Sequence, residues 1–179
     1  MKEVEGIEHA PTLLIGTCRI KRPRVHLPPD LAPHVHLIRS HLHYPDEIEQ
    51  TLLWTRGEIE VPPIAAPLIF DDLNNGNLQS LAALEKRRRE DAHALAIAEQ
   101  VIVEVSSLKR LWFESPSGGR RLYANITCCS NLRKRPDRCL EGACDASRLL
   151  SSVHSESVSH VEFVSTLERI VDLLAPREI

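Results

Sequence analysis

The sequence predicts an α/β protein built on a mostly parallel sheet, and three stretches carry that prediction. Thr12-Leu-Leu-Ile-Gly-Thr-Cys-Arg19 joins a short apolar run to a glycine and then to a polar, thiol-bearing turn. Gln100-Val-Ile-Val-Glu-Val-Ser-Ser107 is a β-branched run suited to a strand buried on both faces. Between them Leu78–Glu99, rich in alanine, leucine and charge and lacking glycine and proline, has the composition of a long helix. Alternation of this kind demands parallel pairing through right-handed crossovers, so Leu13–Ile15 and Val101–Val105 are expected as neighbouring interior strands.

Residues 1–11 read as a flexible leader and 12–179 as a single α/β domain. After the first strand, the proline-rich and basic segment Lys21–Pro33 fits an irregular loop, and Val35–Ile38 offers a second short strand. Pro45 suits the first position of a helix, with Asp46, Glu47 and Glu49 against its positive end. Ile48, Leu52 and Leu53 supply that helix with an apolar stripe, and Gly57 closes it. In the long helix, Leu81, Leu84, Ala92, Leu95 and Ala98 form the expected buried side. Asn74-Asn-Gly-Asn77 reads as a turn. Leu111–Glu114 and Arg121–Ile126, joined by Ser-Pro-Ser-Gly-Gly, predict a hairpin. Residues 127–159 are poorly patterned, apart from a short helix near Ala146–Val153. Val161–Val164 predicts a last strand and Leu167–Leu174 a last helix.

Composition excludes some classes. With 179 residues, 42% hydrophobic and 26% charged, the chain has the balance of an ordinary globular protein. A net charge of −3 gives no global basic field for nucleic acid or an anionic membrane. No run approaches the roughly 20 apolar residues of a membrane span. The acidic start, Met1–Glu8, lacks the apolar core of a signal peptide, so a cytoplasmic protein with reduced thiols is expected.

Three segments would meet beyond the carboxyl ends of such a sheet, where open α/β folds bind ligands. The first is Gly16-Thr17-Cys18-Arg19: Cys18 is either a nucleophile activated by a neighbouring base or a small buried core residue. The second is His43-x-x-x-Glu47-x-x-Gln50, whose spacing puts all three on one helical face. There a histidine and a glutamate hold a substrate, orient each other or move a proton, unless the face is simply solvated. The third is Glu104-Val-Ser106-Ser107-Leu-Lys109. A carboxylate in so apolar a strand is costly without a partner, so Glu104 either serves a ligand or pairs with an arginine. The two serines offer hydroxyls and Lys109 a charge.

No metal site is predicted. His41 and His43 lack a third ligand at a diagnostic spacing. Cys128, Cys129, Cys139 and Cys144 are separated by gaps of nine and four residues, without the tight Cys-x-x-Cys pair of zinc sites. His154 is a further donor near that cluster. No cofactor is expected.

With these segments in view, the chain resembles the SGNH hydrolase superfamily, closest to its GSCFA-like and capsule-biosynthesis branches. Gly16-Thr17-Cys18 stands where the wider superfamily has Gly-Asp-Ser, and the His43/Glu47/Gln50 and Val101–Lys109 segments are similar to segments of those branches. The resemblance covers the first 126 residues. It implies a flavodoxin-like three-layer sandwich whose C-terminal part is divergent or shortened. It also implies action on acyl esters, commonly on carbohydrate, with Cys18 as nucleophile and the Gly16–Cys18 backbone in an oxyanion site. The chain departs from the superfamily in having no Gly-x-Asn-Asp block after a strand. It also lacks an Asp-x-x-His near the C-terminus: Asp91-x-His93 has another spacing, and Ser151 and Ser157 precede His154 and His160 by three.

The expected function is therefore an acyl-ester hydrolase or acyltransferase on a polar, carbohydrate substrate. Cys18, His43 and Glu47 are its catalytic residues. Gly16, Thr17, Arg19, Gln50, Glu104, Ser106, Ser107 and Lys109 contact the substrate. The alternative is a ligand-binding module of the same fold without chemistry, favoured by the missing C-terminal histidine block. The partner is a small molecule or carbohydrate, not nucleic acid or membrane, and the oligomeric state is left open.

Overall fold

A computed structural model describes residues 10–17, 19–20, 23, 26–38, 42–70, 80–134 and 146–175. Cys18, His41, Cys139, Cys144, the Asn74–Asn77 turn and most of the expected leader lie outside the described residues.

The apolar run at the start of the chain becomes β1 (Thr12–Ile15), the centre of a three-stranded parallel sheet. Its neighbours are β2 (Val35–Leu37) and β3 (Gln100–Val103), with Leu13 opposite His36 on one side and Val101 on the other. Leu13 and Ile15 are fully buried, each contributing about 1.5–3 kcal/mol by leaving water. Between β2 and β3 run α1 (Pro45–Thr55), α2 (Ala66–Ile69) and α3 (Leu81–Ile97). Pro45 opens α1 as expected, Ile48 and Leu52 are its buried stripe, and Gly57 follows it at φ 74°.

The expectation that β3 is an interior strand buried on both faces is corrected. The strand order is β2-β1-β3, so among the described residues β3 is an edge. Val101 and Val103 turn inward, whereas Ile102 is 51% exposed. The cause lies just downstream: after Val103 the chain leaves the sheet to tie down two loops, and Lys109 already begins a different sheet. On the inward face, Leu13, Ile15 and Ile38 pack with Ile48 and Leu52 of α1 and with Leu95 of α3. Leu84 is buried in the long helix, but Leu81, expected beside it, is 36% exposed.

The second sheet is antiparallel. The predicted hairpin forms as β4 (Lys109–Glu114) and β5 (Arg121–Tyr123), with Phe113 opposite Leu122 and both fully buried. Then come α4 (Ile126–Lys134), α5 (Ala146–Leu150) and β6 (His154–Ser157), which pairs with the other edge of β4. The described parts of 127–159 are thus more regular than their pattern suggested. Phe113, Leu122, Trp54 and Phe70 form a second core cluster between this sheet and the helices.

The last strand expected at Val161–Val164 is helix. α6 runs from His160 to Leu174, started by a capping box in which Ser159 and Glu162 satisfy each other's backbone N–H groups. Val161 is 77% exposed, so its β-branched character is not used in packing. Ile170 and Leu167 bring α6 into the cluster beneath the parallel sheet. The class is therefore mixed α/β, with a parallel and an antiparallel sheet. Among the described residues no helix is long and apolar enough to cross a membrane.

A clip fixes α3 to β2. Asp91, buried to 1% exposure, meets His36 Nε2 at 2.7 Å and Arg87 Nε at 3.0 Å, and Arg87 also donates to the carbonyls of Leu37 and Ile38. Burial raises the Asp91 pKa, and the hydrogen bond to His36 and the charge of Arg87 act against that rise. Beside the clip, at the amino end of the parallel strands, lies a groove of about 490 Å³ lined by His34, His36, Glu90 and His93.

Candidate functional site

Where β1 and β3 end, the two chain segments are bound closely together. Glu104 N donates to Ile15 O at 2.8 Å, extending the parallel ladder by one residue. A Cβ on Gly16 would lie 2.8 Å from Glu104 Cβ and 3.1 Å from its carbonyl oxygen, so only glycine fits without displacing the neighbour. The Glu104 carboxylate then turns back over the first loop. Its Oε2 accepts from the Thr17 N–H at 3.1 Å and from the Thr17 hydroxyl at 2.6 Å, and its Oε1 pairs with Arg19 Nη1 at 3.8 Å. Glu104 therefore does pair with an arginine, although the side chain of Arg19 is 77% exposed and Thr17 makes the shorter contacts. The Arg19 N–H donates to Thr17 Oγ1 at 3.3 Å.

A second group forms at the entry to α1. Leu42 N donates to Gly16 O at 3.0 Å, which ties this entry to the end of β1. His43 O accepts from the N–H groups of Ser106 and Ser107, both at 2.9 Å. The His43 ring reaches Ser106 Oγ through Nδ1 at 3.2 Å. Ser107 Oγ accepts from Lys109 N at 3.0 Å and donates to Lys109 O at 3.1 Å, a turn that starts β4. Lys109 itself is exposed.

Glu47 is fully buried in the first turn of α1. Its Oε2 accepts from the backbone N–H of His43 at 2.9 Å, and its Oε1 accepts from Asn125 Nδ2. Asn125, also fully buried, holds the start of α4 in turn, since its Oδ1 accepts from Thr127 N at 2.9 Å and Cys128 N at 3.1 Å. Gln50 faces β5 and exchanges two hydrogen bonds with the backbone of Tyr123, at 2.9 and 2.8 Å. Its amide thus acts as an extra residue of the second sheet. Sequence reasoning missed Asn125, whose visible signal was an asparagine directly before the helical run Ile126–Lys134.

On the other side of α1, Asp46 joins a charged hub. Arg110 reaches Asp46 at 3.2 Å, Glu156 at 2.6 Å and Glu162 at 2.8 Å, linking α1, β6 and α6. Partial burial disfavours the guanidinium charge, but the bonds to Glu156 and Glu162 and the charge of Asp46 outweigh it and raise the Arg110 pKa. Burial raises the Asp46 carboxyl, with Arg110 opposing. A polar hollow of about 360 Å³ lies over this hub, between Asp46, Arg110, Tyr123 and the Glu162–Arg169 face of α6.

The structure thus brings together two groups: Gly16, Thr17, Arg19 and Glu104; and His43, Glu47, Ser106 and Ser107. The Leu42–Gly16 hydrogen bond joins them. Cys18, on which the catalytic expectation turns, lies outside the described residues. Among the described residues, no three histidine, cysteine or acidic side chains form a group able to hold a metal ion. Cys128 and Cys129 are buried at the start of α4.

A family model described as the TviD N-terminal domain matches residues 11–117. That span runs from the start of β1 to the turn between β4 and β5, and every site residue expected from the sequence falls within it. Neither a curated protein nor a solved structure matches the chain.

Proposed function

As the chain belongs to the TviD N-terminal domain family, we propose that it acts in capsule biosynthesis, cleaving or transferring an acyl ester on a carbohydrate. In this reading a flavodoxin-like frame presents its site beyond the carboxyl ends of β1 and β3. His43 Nε2 takes the thiol proton of Cys18, and the thiolate attacks the acyl carbonyl carbon. The carbon–oxygen ester bond breaks, His43 returns the proton to the departing sugar hydroxyl, and a thioester remains. Water, or a hydroxyl of a second sugar, then attacks the thioester and regenerates the thiol. Ser106 orients the His43 ring, and Glu47 holds its backbone.

The observation that supports this reading is the convergence of His43 and Ser106 with Gly16 and Thr17. A polar cluster held by four backbone hydrogen bonds at the strand ends is the rigid support that positioned catalytic groups need. One observation favours the alternative of a binding module. The Thr17 N–H, which an oxyanion site at Gly16–Cys18 would use, is already given to Glu104. The test is turnover of a panel of O-acylated sugars and activated acyl esters by the wild type, Cys18→Ala and His43→Ala. The enzyme reading expects release of carboxylate or transfer to a sugar hydroxyl by the wild type alone. Binding of the same sugars without turnover would establish the module instead.

A further inference from the structure

We propose that Asn125 is a positioning residue for His43, acting through the buried carboxylate of Glu47. The catalytic consequence rests on the esterase reading, but the geometry stands independently of it. Three hydrogen-bonding steps run in one line: the α4 N–H groups of Thr127 and Cys128 to Asn125 Oδ1, Asn125 Nδ2 to Glu47 Oε1, and the His43 N–H to Glu47 Oε2. Glu47 and Asn125 are both fully buried, so neither can exchange its partner for bulk water without opening the core. The orientation of Asn125 is dictated at both ends. Two N–H donors require its oxygen on the α4 side, which leaves its NH₂ for the carboxylate.

The line also crosses the fold. Asn125 N donates to Leu68 O at 2.8 Å, which ties it to α2, and it comes just after β5 in the chain. The position of His43 at the parallel sheet is therefore referred to the antiparallel sheet and α4. Asn125 lies beyond residue 117, outside the span matched by the family model, so in this chain the segment after the match supports the candidate site within it.

A capping role alone makes a different prediction. Aspartate caps a helix N-terminus as well as asparagine does, so a cap-only Asn125 tolerates Asn125→Asp. The positioning account predicts damage, because a carboxylate at position 125 faces Glu47 with no donor between them. Glu47→Gln breaks the line from the other side, since the introduced NH₂ opposes either Asn125 Nδ2 or the His43 N–H. The double variant Glu47→Gln/Asn125→Asp exchanges the polarity of the line and restores it. The amide introduced at position 47 donates its NH₂ to the carboxylate introduced at position 125, and its oxygen accepts from the His43 N–H.

The experiment compares wild type, both single variants and the double variant by the backbone amide proton shift of His43 and by acyl-ester kinetics. Each single variant is expected to move the His43 amide resonance upfield and to lower kcat about tenfold or more with KM within about twofold. The double variant is expected to recover most of both effects. An Asn125→Asp protein with an unmoved His43 amide, or a double variant no better than the singles in that resonance, overturns the proposal. If the wild type turns over no ester, the function reading falls while the amide resonance still decides whether the line exists.

Discussion

Gly16 and Glu104 approach so closely that the two strand ends leave no room for a methyl group between them. An added Cβ at Gly16 would meet Glu104 Cβ at 2.8 Å, Glu104 O at 3.1 Å and Ile20 Cδ1 at 3.0 Å. Two of those atoms belong to the stem and backbone of a residue whose carboxylate is bound to Thr17. The neighbour cannot give way without breaking the loop closure. Gly16→Ala is therefore expected to destabilise the protein by about 1–3 kcal/mol. Thermal unfolding checks this, and an unchanged melting temperature would show that the strand ends are less tightly joined than described.

Tyr44 offers a second test, set in the seam between α1 and the antiparallel sheet. Its ring is fully buried, and its hydroxyl lies 2.8 Å from Leu111 O and 2.5 Å from Ala124 O. Tyr44→Phe leaves buried carbonyls short of a donor and is expected to cost about 1–3 kcal/mol. Burial, with Glu47 nearby, raises the Tyr44 pKa well above its ordinary 10.0.

 In the unfolded chain the hydroxyl ionises near its ordinary pKa of 10.0. The folded pKa is the higher of the two, so the stabilisation is complete below pH 10 and is lost as pH rises towards the folded value. The stability gap between wild type and Tyr44→Phe, measured by urea unfolding, should therefore narrow above pH 10. A constant gap would contradict the burial of the hydroxyl.

At the acid end the sensitive group is Glu162. The Ser159 hydroxyl and backbone N–H, with Arg110 next, lower its pKa from 4.5 to about 2. The stability this lends is complete above pH 4.5 and is lost as pH falls through about 2. Glu162→Gln should flatten the acid limb of the stability profile within that window and leave the profile above pH 4.5 parallel to wild type. An identical acid limb in both proteins would mean that the capping box does not hold in solution.

What could be read from the chain depended on whether the signal was local. Pro45 followed by Asp46 and Glu47 marks a helix start by itself, and α1 begins at Pro45. The Val101–Val105 run marks a strand and its parallel partnership with β1. Nothing in a β-branched run says how many neighbours the strand has, and β3 is an edge among the described residues. At Val161–Val164 two local signals conflicted. The β-branched residues suggested a strand, whereas Ser159-x-x-Glu162, a capping box, started a helix. The capping box, which satisfies the first free backbone N–H groups directly, is the signal that prevails. β6 had no legible signal, because His154-Ser-Glu-Ser157 has no apolar alternation and owes its strand form to the free edge of β4.

The candidate site divides the same way. Gly16, Thr17, His43, Glu104 and Ser106 were legible as a glycine and polar residues at the ends of apolar runs, and they meet. The direction of each side chain was not legible. Glu47 shares a helical face with Gln50 in the sequence, yet one reaches Asn125 and the His43 backbone while the other pairs with Tyr123. Both targets are set by packing against the second sheet, which periodicity within α1 does not encode.

The measurement that bears most directly on the central claim is the rate at which each cysteine reacts with iodoacetamide near neutral pH, followed by peptide mapping. A nucleophile served by His43 reacts as thiolate, which an ordinary thiol with a pKa of about 8.5 forms only sparingly at that pH. Cys128 and Cys129, buried at the start of α4, are internal references. The account predicts that Cys18 is labelled about tenfold or more faster than any other cysteine, and that His43→Ala removes most of that advantage while Lys109→Ala does not. Labelling of Cys18 at the rate of an ordinary thiol, unaffected by His43→Ala, would contradict it.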